Sequence, residues 1–254
     1  MRFSFKKSLG QHFLRDKETL NKIVFLREIK DQIIVEIGPG DGALTKVILN
    51  RNPKRLIVIE KDESLREYLE TIKKKYPNKL RIIYDDALNI NFQKIDENKL
   101  TLIANLPYNI ASTLLIELIH SFSHFKRIIV MVQKEVAERL SAKVSTKSYG
   151  RISVLMQLHS DIRKCFDVSP EKFRPQPNVF SSVIEIIPKK KDKFDFICAP
   201  SHDQNKYAKT NNVIFFEGSL AKVSLNEPDD NIIVVAVGGK NKHYHFDEDS
   251  ILDQ

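Results

Sequence analysis

Short apolar runs separated by turns and amphipathic stretches set the rhythm of this chain. Residues 33–37 (Ile-Ile-Val-Glu-Ile) and 55–60 (Arg-Leu-Ile-Val-Ile-Glu) are rich in β-branched side chains, the pattern of strands covered on both faces. Residues 80–84, 100–105 and 126–133 repeat that character. Between them the pattern predicts helices opening near Asp41, over 62–75, over 111–121, and from 134 to about 142. Strands alternating with helices predict a doubly wound, mainly parallel α/β sheet. Residues 151–159 and 179–187 are read as two late strands with no helix between them, forming an antiparallel hairpin at one edge.

The run Pro188-Lys189-Lys190-Lys191-Asp192-Lys193 marks a break in composition. Two units are therefore expected, a main domain over 1–187 and a small appendage over 188–254. In the appendage, 213–217 and 231–237 look extended, Gly238-Gly239 signals a turn, and Asp247-Glu248-Asp249 forms an acidic end.

Charge sharpens the division. Residues 1–193 carry 36 Lys and Arg against 23 Asp and Glu, a net +13, whereas 194–254 carry 5 against 10, a net −5. A basic body suits a polyanion, because phosphate contacts release counterions; a solvated lysine-rich surface would give the same count. No apolar run reaches the ~20 residues that span a bilayer, and the first residues lack the apolar core of a secretory signal. The two cysteines, Cys165 and Cys198, lack metal-ligand spacing. A reducing cytoplasm, with no metal and no membrane partner, is the expectation.

The candidate chemistry begins where strand 100–105 ends. Asn105-Leu106-Pro107-Tyr108 offers a carboxamide that can accept from an exocyclic amine and a tyrosine face that can stack on a heterocycle. Pro107 stiffens the turn between them. A second signal is Glu36-Ile37-Gly38-Pro39-Gly40-Asp41-Gly42, lying between a strand and a helix where α/β folds bind nucleotides. Glu60 ends the next strand, where a carboxylate can accept two ribose hydroxyls, and Asp86 follows the third, within the scope of an adenine amine. Gly38-x-Gly40-x-x-Ala43 with Glu60 also fits a dinucleotide fingerprint, so the glycine turn alone divides between a nicotinamide cofactor and S-adenosylmethionine. Asp86 and the Asn-Leu-Pro-Tyr segment favour the second.

Together these motifs resemble the ribosomal RNA adenine N6,N6-dimethyltransferase family, most of all its KsgA-type small-subunit members, with the Erm-type large-subunit enzymes as relatives. The resemblance covers about residues 5–187. It rests on Leu9-Gly10-Gln11-His12-Phe13-Leu14, the turn from Glu36 to Gly42, Glu60, Asp86, Asn105 to Tyr108, and Phe173-Arg174-Pro175-Gln176-Pro177-x-Val179. It implies a Rossmann-like class I fold dependent on S-adenosyl-L-methionine. Gln11, His12 and Leu14 would close over the methionine end of that cofactor, with Glu36, Gly38, Gly40, Gly42 and Asn105 beside it, Glu60 on its ribose and Asp86 on its adenine. Asn105 and the Leu106 carbonyl would hold the target amine while Tyr108 and Phe173 stack on the flipped base. His12 is not expected to act as a base, and Glu36 and Phe173 have structural alternatives, as a loop acceptor and as core packing. Ser181 and Ser182 have no accompanying His/Asp pair and are not expected to be nucleophiles.

The implied substrate is an rRNA hairpin loop within an immature small subunit, met by a monomer. The resemblance stops near Phe194. The family usually ends in a small basic helical domain, whereas this tail is acidic and lacks arginine, so a divergent domain, an altered frame or a fusion all stay open. The alternatives are accordingly an Erm-type large-subunit enzyme, or a non-catalytic RNA-binding assembly factor that retains the fold.

Overall fold

The computed structural model describes residues 12–189, together with the backbone of 197–200 and 213–216. The chain divides into two units between Lys190 and Lys191. The first opens with β1 (Phe13–Leu14), α1 (Lys17–Val24), β2 (Ile33–Ile37), α2 (Ala43–Asn50), β3 (Arg55–Glu60) and α3 (Arg66–Lys75). It continues through β4 (Leu80–Tyr84), β5 (Leu100–Asn105), α4 (Ala111–Leu118), β6 (Phe125–Gln133), α5 (Lys134–Leu140) and α6 (Arg151–His159). It ends in β7 (Ser160–Val168), β8 (Phe173–Arg174) and β9 (Ser181–Pro188). In the second unit β10 (Ile197–Pro200) and β11 (Val213–Phe216) pair in parallel. The latter matches the extended segment expected at 213–217; the segment 231–237, the Gly238-Gly239 turn and the acidic end lie outside the described residues.

Seven strands form one sheet in the order β4-β3-β2-β5-β6-β9-β7. The five from β4 to β6 run parallel, and β9 is antiparallel to both of its neighbours. The doubly wound fold follows from strands that are apolar on both faces. Val35 and Ile37 pack into one core with Leu102 and Val130, while Ile34 packs into the other with Leu56, Val58 and Ile103. Each such side chain contributes about 1.5–3 kcal/mol by leaving water. Because the five strands are parallel, their carboxyl ends share one edge. The register there sets Ile37 beside Ile59, Glu60 beside Tyr84 and Asn105 beside Met131. Strand order reverses between β2 and β5, and the crevice such a reversal opens is where open α/β sheets bind ligands.

One expectation is corrected. Residues 151–159 form α6, and the strand is the next segment, β7. Ile152 and Val154 favour a strand locally, but Ser153 and Met156 are both buried, at helical spacing. Ser153 also closes the helix start by accepting from the Gly150 N–H at 3.0 Å. Strand β7 escapes notice because it lies at the sheet edge, where charged residues take the solvent side. The antiparallel strand is β9, one place in from that edge. Its buried Glu185 is gripped by Arg27 and Arg163, each at 2.8 Å, and by Arg127. Burial opposes ionisation of this carboxyl, but bonds from Arg27 and Arg127 hold it below the usual range.

Candidate active site

The glycine turn is pinned to the sheet by the Gly38 N–H, which donates to the Ile59 carbonyl at 2.9 Å. Gly38 and Gly40 take positive φ of 64° and 59°, a region other residues enter at a cost. Gly40 is also required by contact: a Cβ there would lie 2.2 Å from the Phe13 ring. Both glycines line a cleft at the carboxyl edge with about 820 Å³ of unfilled space, its open mouth included. Gly42 does not line it. Its φ of 77° starts α2, and a Cβ would meet Ile72 of α3 at 2.2 Å, so this glycine serves helix packing.

Glu60 lines the cleft at the end of β3. Its carboxylate accepts from the Asp62 N–H at 2.8 Å and the Gly40 N–H at 3.3 Å. Burial raises its pKa against the pull of those two amides. Two amides leave lone pairs on a carboxylate that can accept about four hydrogen bonds. Asp86 also lines the cleft; it accepts from the Lys61 ammonium at 2.6 Å and the Leu88 N–H at 3.0 Å. The Lys61 bond chiefly lowers its pKa, so it stays ionised. Glu36, expected beside the cofactor, is instead buried and accepts from the Thr45 hydroxyl at 2.7 Å. It stands outside the cleft lining and fixes α2 to β2, the structural alternative.

At the end of β5, Asn105, Leu106, Pro107 and Tyr108 all line the cleft. The Leu106 N–H donates to the Met131 carbonyl at 3.1 Å, which ties the start of the turn to β6, and the Pro107 carbonyl accepts from the Ile110 N–H at 3.2 Å. The Asn105 carboxamide donates to the His12 carbonyl at 2.9 Å. His12 in turn stacks on Tyr108, centroids 5.1 Å apart, and its Nδ1 lies 2.8 Å from the Pro175 carbonyl. The Tyr108 hydroxyl pairs with Ser181 Oγ at 2.5 Å, and burial raises its pKa. The N-terminal, Asn-Leu-Pro-Tyr and Phe-x-Pro-x-Pro motifs, far apart in sequence, thus meet at one place. Strand β1 pairs with β8 in the same junction, Leu14 beside Phe173.

That pairing carries two corrections. Leu14 and Phe173 are both buried in the core behind the sheet edge, and neither lines the cleft. Phe173 has 0% exposure, so this conformation offers no ring face to a base. Gln11 lies outside the described residues. Sequence reasoning assigned no role to Phe13, the ring that covers Gly40, and none to Ser181, which holds Tyr108. The signal for Phe13 was Gly40 itself, a glycine beside which something bulky must sit.

The lining answers the choice of cofactor. Glu60, Asp85 and Asp86 face only Lys61 among cleft-lining lysines and arginines, with Ile37, Ile59 and Ala87 as apolar walls. An acidic cleft repels a pyrophosphate and attracts a cationic, nucleoside-bearing ligand. Among the described residues no cluster of three or more His, Cys, Asp or Glu could hold a metal ion.

The family model for ribosomal RNA adenine dimethylase matches residues 2–203. The chain is similar to the ribosomal RNA small subunit methyltransferase A of Wolbachia pipientis subsp. Culex pipiens, 47% identical over 184 residues, 72% of this chain and 70% of the relative. It is likewise 46% identical over 183 residues to the protein of that name from Ehrlichia chaffeensis, 72% of this chain and 70% of the relative. Among solved structures it is similar to a dimethyladenosine transferase from Plasmodium falciparum, with 33% identity and a TM-score of 0.63 over 70% of this chain and 63% of that one. The 23S rRNA methyltransferase ErmE, 21% identical with a TM-score of 0.62 over 70% of each chain, shares the fold. A second family model, mitochondrial fission ELM1, matches residues 177–254. The region where the first resemblance ends therefore has a likeness of its own.

Proposed function

The chain belongs to the ribosomal RNA adenine dimethylase family, and from that membership we propose that it transfers methyl groups from S-adenosyl-L-methionine to the N6 amine of adenine in a small-subunit rRNA hairpin loop. The observation that carries the reading is the position of Asn105: its carboxamide is anchored at the end of β5, in the wall of an acidic cleft that Tyr108 also lines. The cleft fits the cofactor through Glu60 for the ribose hydroxyls and Asp86 for the adenine amine. When bound, the cofactor supplies an electrophilic methyl group on a sulfonium that leaves readily.

The residues of the chain do the rest. An adenine amine is a poor nucleophile because its lone pair is delocalised into the ring. Asn105 Oδ1 and the Leu106 carbonyl accept from that amine, favour a pyramidal nitrogen and aim its lone pair. Holding the reactants in line supplies much of the acceleration. The methylated nitrogen is acidic and sheds its proton to solvent, so His12 is not needed as a base. Unstacking the target adenine costs a few kcal/mol, least in a loop, and a face of Tyr108 offsets about 1–3 kcal/mol of it.

The substrate is rRNA within an immature small subunit, met by a monomer in the cytoplasm. No helix among the described residues is long and apolar enough to cross a membrane. The tail beyond Lys190 is read as a fused segment resembling ELM1, so RNA docking falls to the basic body. The test is a radiolabelled methyl-transfer assay on unmodified small-subunit particles, with large-subunit RNA in parallel. Dimethyladenosine in a small-subunit loop supports the reading. Label confined to large-subunit RNA turns it to an Erm-type enzyme, and cofactor binding without transfer turns it to an assembly factor.

A further inference from the structure

We infer that Phe180 is a stacking platform for an unpaired RNA nucleotide next to the target adenine, an inference that rests on the function just proposed. Phe173 and Phe180 belong to one short stretch with opposite fates: Phe173 is fully buried, while Phe180 is 49% exposed. A single exposed apolar residue is ordinary; the surroundings of Phe180 are not.

Its backbone is held where β6 passes into α5 and β9 begins. The Lys134 N–H donates to the Phe180 carbonyl at 2.9 Å, and the next residue, Ser181, opens β9 in register with Gln133 and Val168. Ser181 is also the residue whose hydroxyl pairs with Tyr108 at 2.5 Å. Phe180 is therefore one residue from the group that fixes the stacking ring inside the cleft. The Lys134 ammonium lies 5.7 Å from the Phe180 centroid, while also pairing with Asp167 at 3.2 Å. An exposed aromatic ring on a hydrogen-bonded backbone, with a cation beside it, matches the chemistry of single-stranded RNA, a π-surface next to a phosphate. Extruding the target adenine unstacks its neighbour as well, and that neighbour needs a new face. An apolar protein partner would use the surface of Phe180 without needing its ring.

The chain contains no tryptophan, so Phe180→Trp introduces a single fluorescent reporter at this position. The probe is a synthetic RNA hairpin with adenine in its loop, added to the full chain. Stacking predicts quenching of the indole on binding, read without turnover. Phe180→Ala and Phe180→Leu are expected to raise the KM for the hairpin about tenfold, the loss of one base stack, while Phe180→Trp keeps it and cofactor affinity is unchanged throughout. Bound RNA without quenching overturns the inference, as does a Phe180→Leu chain with the wild-type KM, which would mean apolar contact alone. The two readings fail separately. If the unmutated chain methylates RNA but the Phe180 variants match it, only the stacking falls; quenching without methyl transfer removes the chemistry and keeps the platform.

Discussion

The side-chain nitrogen of Asn105 donates to the main-chain carbonyl of His12 at 2.9 Å, and that bond fixes which way the amide faces. A carbonyl can only accept, so the nitrogen belongs on the His12 side and Oδ1 is the pole left for a donor in the cleft. An acceptor is what an exocyclic amine requires. Asn105→Ala should abolish methyl transfer while the cofactor dissociation constant moves less than about threefold. Asn105→Asp keeps an acceptor but cannot donate to His12, and activity should fall at least about tenfold. Single-turnover rates beside calorimetric cofactor titrations check both; equal loss of binding and rate would remove the clamp role.

Glu60 joins the end of β3 to the glycine turn, since one carboxylate accepts from both Gly40 and Asp62. Glu60→Ala should weaken cofactor binding by about tenfold or more, because it deletes a charged acceptor and leaves two amides unpaired. Glu60→Gln should recover part of that loss. A calorimetric titration in which Glu60→Ala binds like the unmutated chain would sink the assignment.

How far the sequence revealed these relations depended on whether a signal was local. The parallel strands were legible because β2 and β3 are apolar on both faces, and Glu60 and Asn105 were legible because each ends such a run. What was not legible arose from pairing across long separations. Nothing near Phe173 shows that β8 lies against β1, which buries that ring and Leu14 together. Glu36 looked like a ligand because it opens the glycine turn where α/β folds bind nucleotides; Thr45 on the following helix gives it a structural partner instead. Helix α6 was misread because two β-branched residues outweighed a burial pattern that only the fold displays.

Tyr108 and Ser181 are coupled by a 2.5 Å hydrogen bond with Ser181 fully buried. Ser181→Ala leaves the tyrosine hydroxyl without that partner, and Tyr108→Phe removes the hydroxyl itself. Each should lower methyl transfer several-fold by loosening the ring, with cofactor affinity unchanged. The double variant should be no worse than the poorer single one, because both delete the same bond. Additive losses in kcat/KM would show that the two residues act independently.

Burial pushes the Glu36 carboxyl up from its ordinary 4.5 to about 8; the Thr45 hydroxyl opposes the shift, and the charges of Glu60 and Asp41 add to it. The folded chain therefore holds a proton between about pH 4.5 and 8 that the unfolded chain releases. Its stabilising contribution is complete below the unfolded value and is lost as pH rises through the folded one, by up to about 1.4 kcal/mol per pH unit. Glu36→Gln keeps an acceptor for Thr45 and abolishes the titration. Urea unfolding across this window should show the unmutated chain losing stability relative to the variant as pH rises, with the two diverging most near pH 8. Glu60, whose pKa is raised in the same direction, is present in both chains, so the difference between them reports Glu36 together with its coupling to Glu60. Parallel curves across the window would mean that Glu36 is ionised in the folded protein and that its bond with Thr45 is charge-assisted.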